Sequence, residues 1–208
     1  MRSFIKKPEY QYINELFATE NHIQQHIREQ IIASGVKPIQ IEAFEGKILS
    51  MLIQATASKK ILEFGTMHGY STTWLAESVP DGSVLTIEKN PESANIASKN
   101  LKSYTNVTIL TLDAQNAEAE LAEFAPFDFV FIDANKSAYQ NYFTLSDRLL
   151  KKGGMIVADN CIFDDMFSNI QNKLVDSICG FNQFVAAKQN YHSVILPSAG
   201  GLLCALKL

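Results

Sequence analysis

Five acidic residues stand at the ends of five short apolar runs in the sequence. They are Glu63, Glu88, Asp113, Asp133 and Asp159. A single acid at such a place is commonly a helix cap or a solvated turn residue. Open α/β sheets bind their ligands at the carboxyl ends of the strands, so acids in five equivalent places predict a shared ligand site.

The loop after the first of these runs has the chemistry of a nucleoside site. Residues 63–71 read Glu-Phe-Gly-Thr-Met-His-Gly-Tyr-Ser and lead from a strand pattern into a helix pattern, as in nucleotide-binding folds. The loop lacks the GxGxxG spacing of dinucleotide sites, and Glu63 would repel a pyrophosphate. Glu88, at the end of the next run, can accept both hydroxyls of a ribose. These features predict a nucleoside with a cationic tail, of which S-adenosylmethionine is the common example.

Hydrophobic patterning predicts the elements that must position these acids. Before residue 57 the apolar residues recur at helical spacing, and Gly35 and Pro38 separate the helices. Strand-like runs then alternate with helix-like segments; the runs are 60–64, 83–88, 107–112, 127–133 and 155–159. Two last runs, 191–196 and 202–208, flank a glycine-containing turn and predict an antiparallel hairpin at the sheet edge. We expect one doubly wound α/β domain over 1–208, with a helical section at 1–57 and a Rossmann-like core at 58–208.

Composition favours a globular domain with small-molecule partners. The 208 residues are 47% hydrophobic, and the formal charge of -4 with a pI near 5.6 lacks the basic excess of nucleic-acid-binding proteins. Cys161, Cys179 and Cys204 form no CxxC pair, so we expect reduced thiols rather than disulfides or a thiolate zinc site. No apolar run approaches the roughly 18 residues of a membrane span, nor does the start resemble a secretory leader. We therefore expect a cytoplasmic protein without a membrane partner.

Three segments together resemble one enzyme family. They are 63–71, the run Asp-Ala-Asn-Lys-Ser-Ala-Tyr at 133–139, and Val-Ala-Asp-Asn at 157–160. In these segments the chain is similar to the cation-dependent O-methyltransferases, which include caffeoyl-CoA and catechol O-methyltransferases. The similarity extends from the helix around Glu45 to the terminal hairpin. It implies a class I methyltransferase with a mostly parallel seven-stranded sheet, S-adenosylmethionine, a divalent cation, a phenolic or catechol-type acceptor and a homodimer.

The resemblance also implies a role for each matching residue. One group would bind the cofactor. Its methionine part would be surrounded by Glu63, Gly65, Gly69 and Ser71, its ribose would be bound by Glu88, and its adenine by Asp113, Ala114 and Gln115. Asp133 would be shared between the cofactor and the cation. A second group would hold the cation: Asp133, Asp159 and Asn160. Lys136 would lie beside the acceptor hydroxyl and act with Asp133 in catalysis. Two carboxylates and an amide oxygen are hard ligands, which suit magnesium, manganese or calcium and leave positions for water and substrate.

The sequence departs from the family pattern at three places. Asn135 stands where a second Asp is usual, residues 161–165 replace a Trp/Gly-containing segment, and residues 197–201 lack the usual Asp-Gly. The last two segments flank the acceptor pocket in the family, so the departures bear on acceptor choice rather than on the ligand set.

Several other functions are compatible with parts of the sequence. Some bacterial relatives methylate a hydroxylated uridine in tRNA, and the acidic pI opposes that reading only mildly. A nucleotide-responsive binding protein without turnover, or a dehydrogenase on a related fold, are alternatives of a different class. A hydrolase built on Ser71 is remote, because Gly-Tyr-Ser does not match GxSxG. His22 and His26 have the spacing of a metal pair on a helix, but solvated helix residues are the better interpretation.

Overall fold

Three helices precede the sheet in a computed structural model that describes residues 7–35, 39–162, 164–167 and 172–208. They are α1 (Lys7–Phe17), α2 (His22–Ala33) and α3 (Ala43–Ala55), and they confirm the predicted helical section; Pro38 lies outside the described residues. Asn21 separates α1 from α2 with a capping box. Its side chain accepts from the backbone N–H of Gln24, whose own side chain accepts from the backbone N–H of Asn21. Both bonds satisfy orphan donors at the start of α2, so the chain begins a new helix here.

Seven strands form one sheet in the order β3-β2-β1-β4-β5-β7-β6. Their bounds are β1 Lys60–Phe64, β2 Ser83–Glu88, β3 Val107–Thr111, β4 Phe127–Ile132, β5 Leu150–Ala158, β6 Tyr191–Leu196 and β7 Leu202–Lys207. The pairs among β1 to β5 are parallel, whereas β7 runs antiparallel to both β5 and β6. The predicted mixed sheet with a terminal hairpin is therefore confirmed.

The fifth strand begins earlier than its sequence pattern predicts. It starts at Leu150 rather than at residue 155, although Gly153 and Gly154 lie within it. The register with β4 shifts between Phe127 and Phe129, and Gly153 adopts a φ of 76°. Adjacent glycines weaken a strand pattern, but here they accommodate an irregular stretch that remains in the sheet.

Helices cover both faces of the sheet. The later ones are α4 (Tyr70–Ser78), α5 (Pro91–Asn100), α6 (Glu118–Ala122), α7 (Tyr139–Leu149) and α8 (Lys173–Ala186). Residues of α1 to α4 share one buried apolar cluster with the sheet, and residues of α6 to α8 share the other. None of the described helices is both long enough and apolar enough to cross a bilayer.

Strand alternation decides which way the site acids point. Phe131 on β4 and Val157 on β5 are register partners that belong to the cluster on the α1–α4 face. Successive side chains alternate between faces, so Asp133 and Asp159, two residues further on, are directed to that same side. Ile61 also belongs to this cluster, which places Glu63 on the face covered by α4.

Candidate active site

A cavity of about 980 Å³ opens at the carboxyl ends of the parallel strands. This volume suits a ligand of drug size or a cofactor with a small acceptor. Eight of the twelve predicted site residues line it: Gly65, Ser71, Glu88, Asp113, Ala114, Asp133, Lys136 and Asn160. Glu63, Gly69, Gln115 and Asp159 are the four that do not.

The loop after β1 follows the sheet closely, and this requires glycine at one position. Gly65 has a φ of 101°, and a Cβ on it would lie 2.1 Å from the Asp133 carbonyl oxygen. The backbone N–H groups of Gly65 and Thr66 both donate to the Ile87 carbonyl, at 3.0 and 3.2 Å. The loop is thus fixed between the ends of β1, β2 and β4.

Glu63 is buried beneath this loop rather than exposed to the cavity. Its carboxylate accepts hydrogen bonds from the hydroxyls of Ser71, Thr72 and Thr86 at 2.5, 2.6 and 2.7 Å. Burial raises the pKa of Glu63 to about 7, against the opposing effect of the three hydroxyl donors. Strand alternation directs the Glu63 side chain toward α4, and its predicted role at the methionine part of the cofactor stays a prediction. Glu63 connects β1, β2 and the first turn of α4.

Glu88 faces the cavity and orders the backbone around it. Its two oxygens accept from the N–H groups of Met67 and Asn90, at 2.7 and 2.8 Å. Met67 is held at a φ of 49°, in the left-handed region that residues other than glycine seldom adopt. A carboxylate has about four acceptor positions, so Glu88 retains capacity for ribose hydroxyls.

The predicted adenine residues separate into two groups. Asp113 and Ala114 line the cavity, whereas Gln115 is exposed and lies outside its lining. Lys89 donates to Asp113 at 2.6 Å, and this hydrogen bond lowers the pKa of the Asp113 carboxyl. Asp113 also accepts from the Gln115 backbone N–H at 3.2 Å, so Gln115 helps to orient Asp113, and its predicted contact with the adenine stays a prediction.

Gly69 acts at the start of α4 rather than in the cavity. It is the N-cap of that helix with a φ of 91°, and a Cβ there would meet the Leu101 side chain at 2.9 Å. The residue type is therefore required by the backbone and by packing, and the predicted contact of Gly69 with the cofactor stays a prediction.

Asp133, Asp159 and Asn160 come together at the adjacent ends of β4 and β5. The Asp159 backbone N–H donates to the Ile132 carbonyl at 3.0 Å, which continues the ladder to the two acids. The Asn160 amide donates to the Asp159 carboxylate, and Asp159 is completely buried. The Lys136 ammonium donates to Asp133 at 2.7 Å, with both side chains less than one fifth exposed.

Asn160 is suited to its backbone conformation and is closely packed. Its φ is 58°, in the left-handed region where Asn is enriched. A Cβ on Gly200 would lie 2.9 Å from Asn160 Oδ1, so the turn before β7 restrains this amide. Among the described residues, no group of three or more His, Cys, Asp and Glu has the arrangement of a metal site. The predicted cation ligands include two residues of these types, Asp133 and Asp159, and the third oxygen donor is the amide of Asn160.

Several residues of the cavity are not among the twelve predicted site residues. His68 is buried and lines it, and burial lowers the pKa of its imidazole. Asn172, the N-cap of α8, and Leu174 and Val175 in its first turn also line the cavity, and the two aliphatic side chains give the wall an apolar part. No local signal links α8 to the strand ends, since only the tertiary fold brings them together. Of the departing segment 161–165, Asp165 lines the cavity, whereas Phe163 lies outside the described residues.

Comparison with known proteins places this site in a family. A family model described as O-methyltransferase matches residues 14–208. The chain belongs to the O-methyltransferase family. Over 197 residues it is 34% identical to catechol O-methyltransferase from Niastella koreensis, covering 91% of this chain and 89% of that protein.

Solved structures of O-methyltransferases share the fold. The Bacillus cereus O-methyltransferase in complex with SAH has a TM-score of 0.86 and 26% identity, over 95% of this chain and 96% of that one. The O-methyltransferase TomG from Streptomyces achromogenes, in complex with SAM, has a TM-score of 0.85 and 27% identity, over 94% of each chain. This O-methyltransferase therefore has the Rossmann-like class I fold and depends on S-adenosylmethionine, which favours methyl transfer over the dehydrogenase and hydrolase alternatives.

Proposed function

We propose that this O-methyltransferase moves the methyl group of S-adenosylmethionine to a hydroxyl of a small catechol-type or phenolic acceptor, with a divalent cation held by Asp133, Asp159 and Asn160. One observation carries the proposal. These three oxygen-bearing side chains meet at neighbouring strand ends, beside the cavity that the loop after β1 also lines. The name of the Niastella koreensis relative supports the same acceptor class.

The donor set fits a hard cation. Two carboxylates and an amide are the groups that magnesium, manganese and calcium prefer, and three protein ligands leave positions for a chelating pair of acceptor oxygens. A phenol with a pKa near 10 needs roughly 4 kcal/mol of oxyanion stabilisation to ionise at pH 7. A cation held by these residues would supply stabilisation of that order, since Coulomb attraction is roughly 4 kcal/mol per unit-charge pair at about 4 Å and an effective dielectric of about 20.

The residues of the chain then divide the remaining work. Lys136 lines the cavity next to Asp133, where its nitrogen can donate to the acceptor oxygen as an ammonium or, as a neutral amine, take the acceptor proton. The backbone of Gly65, the Ser71 hydroxyl and the Glu88 carboxylate orient the cofactor from the other side. Alignment of oxygen, methyl and sulfur can contribute roughly 7–11 kcal/mol to the rate.

Chelation and reconstitution test the cation and the acceptor class together. We expect EDTA to abolish turnover of a catechol, magnesium or manganese to restore it, and monohydroxy analogues to be much poorer acceptors. Asp159→Ala should not be rescued at ordinary metal concentrations. Asp147→Asn is the matched control, because Asp147 bonds Tyr191 and Lys207 away from the cavity. Full activity of the metal-free protein would contradict the cation's role, and equal rates for mono- and dihydroxy phenols would contradict chelation alone.

Separate measurements test the other partners. We propose a cytoplasmic homodimer that does not use nucleic acid, in line with the family resemblance and the pI near 5.6. Sedimentation equilibrium tests the dimer. A tRNA containing hydroxyuridine should give no turnover and no salt-sensitive gel shift; methylation of that tRNA but of no phenol would replace the proposed acceptor.

A further inference from the structure

Tyr139 is a buried tyrosine that connects Lys136 to the ends of β4 and β5. It begins α7 and has an exposed fraction of 0%. The Lys136 ammonium donates to the Tyr139 hydroxyl at 2.7 Å. That hydroxyl in turn lies within donating distance of the Asp159 carbonyl at 3.0 Å and the Ile132 carbonyl at 3.3 Å. One hydroxyl therefore joins the ammonium to both strands that carry the carboxylates.

Packing holds the Tyr139 ring in place. The Lys136 ammonium, 4.9 Å from the ring centroid, lies at the hydroxyl edge of the ring. The ring itself meets Phe181 of α8 in a T-shaped contact, with centroids 5.4 Å apart and an interplanar angle of 82°. Lysine has a flexible four-carbon stem, so a partner held rigidly by packing restricts where its ammonium can be.

The Lys136 ammonium has more N–H donors than its bonds to Asp133 and Tyr139 use. An ammonium has three donor hydrogens. One is directed to Asp133 and one to Tyr139. A third donor remains for an oxygen in the cavity that Lys136 lines. A cation on Asp133 would compete for the carboxylate that Lys136 contacts, but the Tyr139 hydroxyl is outside that donor set.

We propose that Tyr139 is a positioning residue that holds the Lys136 ammonium at the methyl-acceptor end of the cavity, with or without the cation. Phe181 acts through Tyr139 by fixing its ring. The catalytic consequence rests on the role proposed above for Lys136, whereas the placement of the ammonium does not.

Placement of the ammonium is tested on metal-free protein. In ¹⁵N-labelled protein at low temperature, a lysine ammonium held by hydrogen bonds exchanges its protons slowly and gives a resolved signal. We expect such a signal from Lys136, identified by its loss in Lys136→Arg. Tyr139→Phe should broaden it beyond detection. Tyr191→Phe is the matched control, since it removes another buried hydroxyl that bonds Asp147, and the Lys136 signal should persist. An unchanged signal in Tyr139→Phe would overturn the proposal.

A double-mutant cycle tests the consequence for turnover. We expect Tyr139→Phe to lower kcat about tenfold with KM for S-adenosylmethionine within about twofold, because the ring and the cofactor end are retained. In a Lys136→Met background the same substitution should change kcat by less than about twofold, since its effect passes through Lys136. A further tenfold loss in that background would assign Tyr139 a general structural role and contradict the proposal.

A second variant covers the case in which Tyr139→Phe does not fold. Phe181→Leu keeps the hydroxyl but frees the ring, and it should weaken the Lys136 signal and lower kcat less than Tyr139→Phe; unchanged values of both would count against the proposal. If Lys136→Met retains full kcat, the proposed catalytic function of Lys136 fails. The ammonium signal then still decides whether Tyr139 positions it.

Discussion

The two ends of the cavity use acidic residues in different ways. The cofactor end comprises Glu88 and, buried beneath the loop after β1, Glu63; their carboxylates accept from backbone N–H groups and hydroxyls and so fix that loop. At the cation end, defined by Asp133, Asp159 and Asn160, the two acids follow neighbouring strands; Asp133 accepts from the Lys136 ammonium and Asp159 from the Asn160 amide. The first set stabilises a backbone conformation, and the second concentrates negative charge.

The difference follows from the physics of burial. A buried carboxylate can be stabilised by several neutral donors, although its pKa rises when no cation is near. Two adjacent carboxylates repel each other and favour either a proton or a cation. Carboxylates at equivalent strand ends are therefore expected to respond differently to substitution, metal and pH.

Removal of Lys136 should give the largest effect and affect the cation end alone. We expect Lys136→Ala to lower kcat by about 10²-fold or more, the range usual for general acid-base groups. The dissociation constant for S-adenosylmethionine should stay within about threefold, because the cofactor end is unchanged. Steady-state kinetics and calorimetry measure the two quantities. A kcat within twofold of the wild-type value would show that Lys136 is an ordinary partner of Asp133.

Substitution of Glu88 should give the converse result at the cofactor end. Glu88→Gln replaces a charged acceptor by an amide and disturbs the bonds to Met67 and Asn90. Hydrogen bonds to charged groups contribute about 1.5–3 kcal/mol, so we expect the dissociation constant for the cofactor to rise about tenfold or more. Magnesium or manganese affinity should not change. Isothermal calorimetry with cofactor product and with metal measures the two ends separately, and equal weakening of both affinities would show that the ends are not independent.

The free energy of unfolding should depend on pH through Glu63. The folded protein binds the proton of the Glu63 carboxyl more tightly than the unfolded chain does, because burial raises the pKa of Glu63 from 4.5 to about 7. The stabilising contribution of the proton is therefore complete below about pH 4.5 and lost as the pH rises through about 7. The shift corresponds to about 3 kcal/mol. We expect denaturant unfolding to show this decline in the wild type and a much weaker one in Glu63→Gln.

Thr86→Val provides the control for that titration. It removes one hydroxyl donor to the ionised carboxylate, so the decline in stability should move to higher pH. A decline that is identical in the wild type and in both variants would assign it to other groups.

The fold could be predicted to a large extent because its signals are local. All seven strands and the hairpin follow from apolar runs and turns, and the acids at their ends follow with them. The early start of β5 could not be predicted, since Lys151, Lys152, Gly153 and Gly154 weaken the pattern and only pairing with β4 retains them in the sheet.

The site could be predicted by residue type more readily than by contact. Side chains alternate along β1, so the buried Ile61 indicates that Glu63 points to the same face, toward α4. Its hydroxyl partner on β2, Thr86, is recognisable only in the folded chain. Tyr139 follows Lys136 by three residues, but its hydrogen bond to Asp159 depends on the neighbouring strand. Contacts between distant segments determine these functions, and a single sequence carries no local signal for them.

The smallest expected effect comes from the exposed pair at the edge of the cofactor end. Lys89 bonds Asp113 at 2.6 Å, but the Lys89 side chain is 74% exposed and that of Asp113 is 31% exposed. Water and salt screen such a pair, and surface ion pairs generally contribute little. We expect Lys89→Ala to change the dissociation constant for the cofactor by less than about twofold at 0.15 M salt.

Asp113→Ala should weaken cofactor binding more than Lys89→Ala does, because Asp113 also caps the turn that carries Ala114 into the cavity. Calorimetry at low and high salt distinguishes the two contributions, since only the ion pair depends on salt. If Lys89→Ala weakened binding tenfold at both salt concentrations, Lys89 itself would contact the ligand, and the cofactor end would, like the cation end, depend on a positively charged side chain.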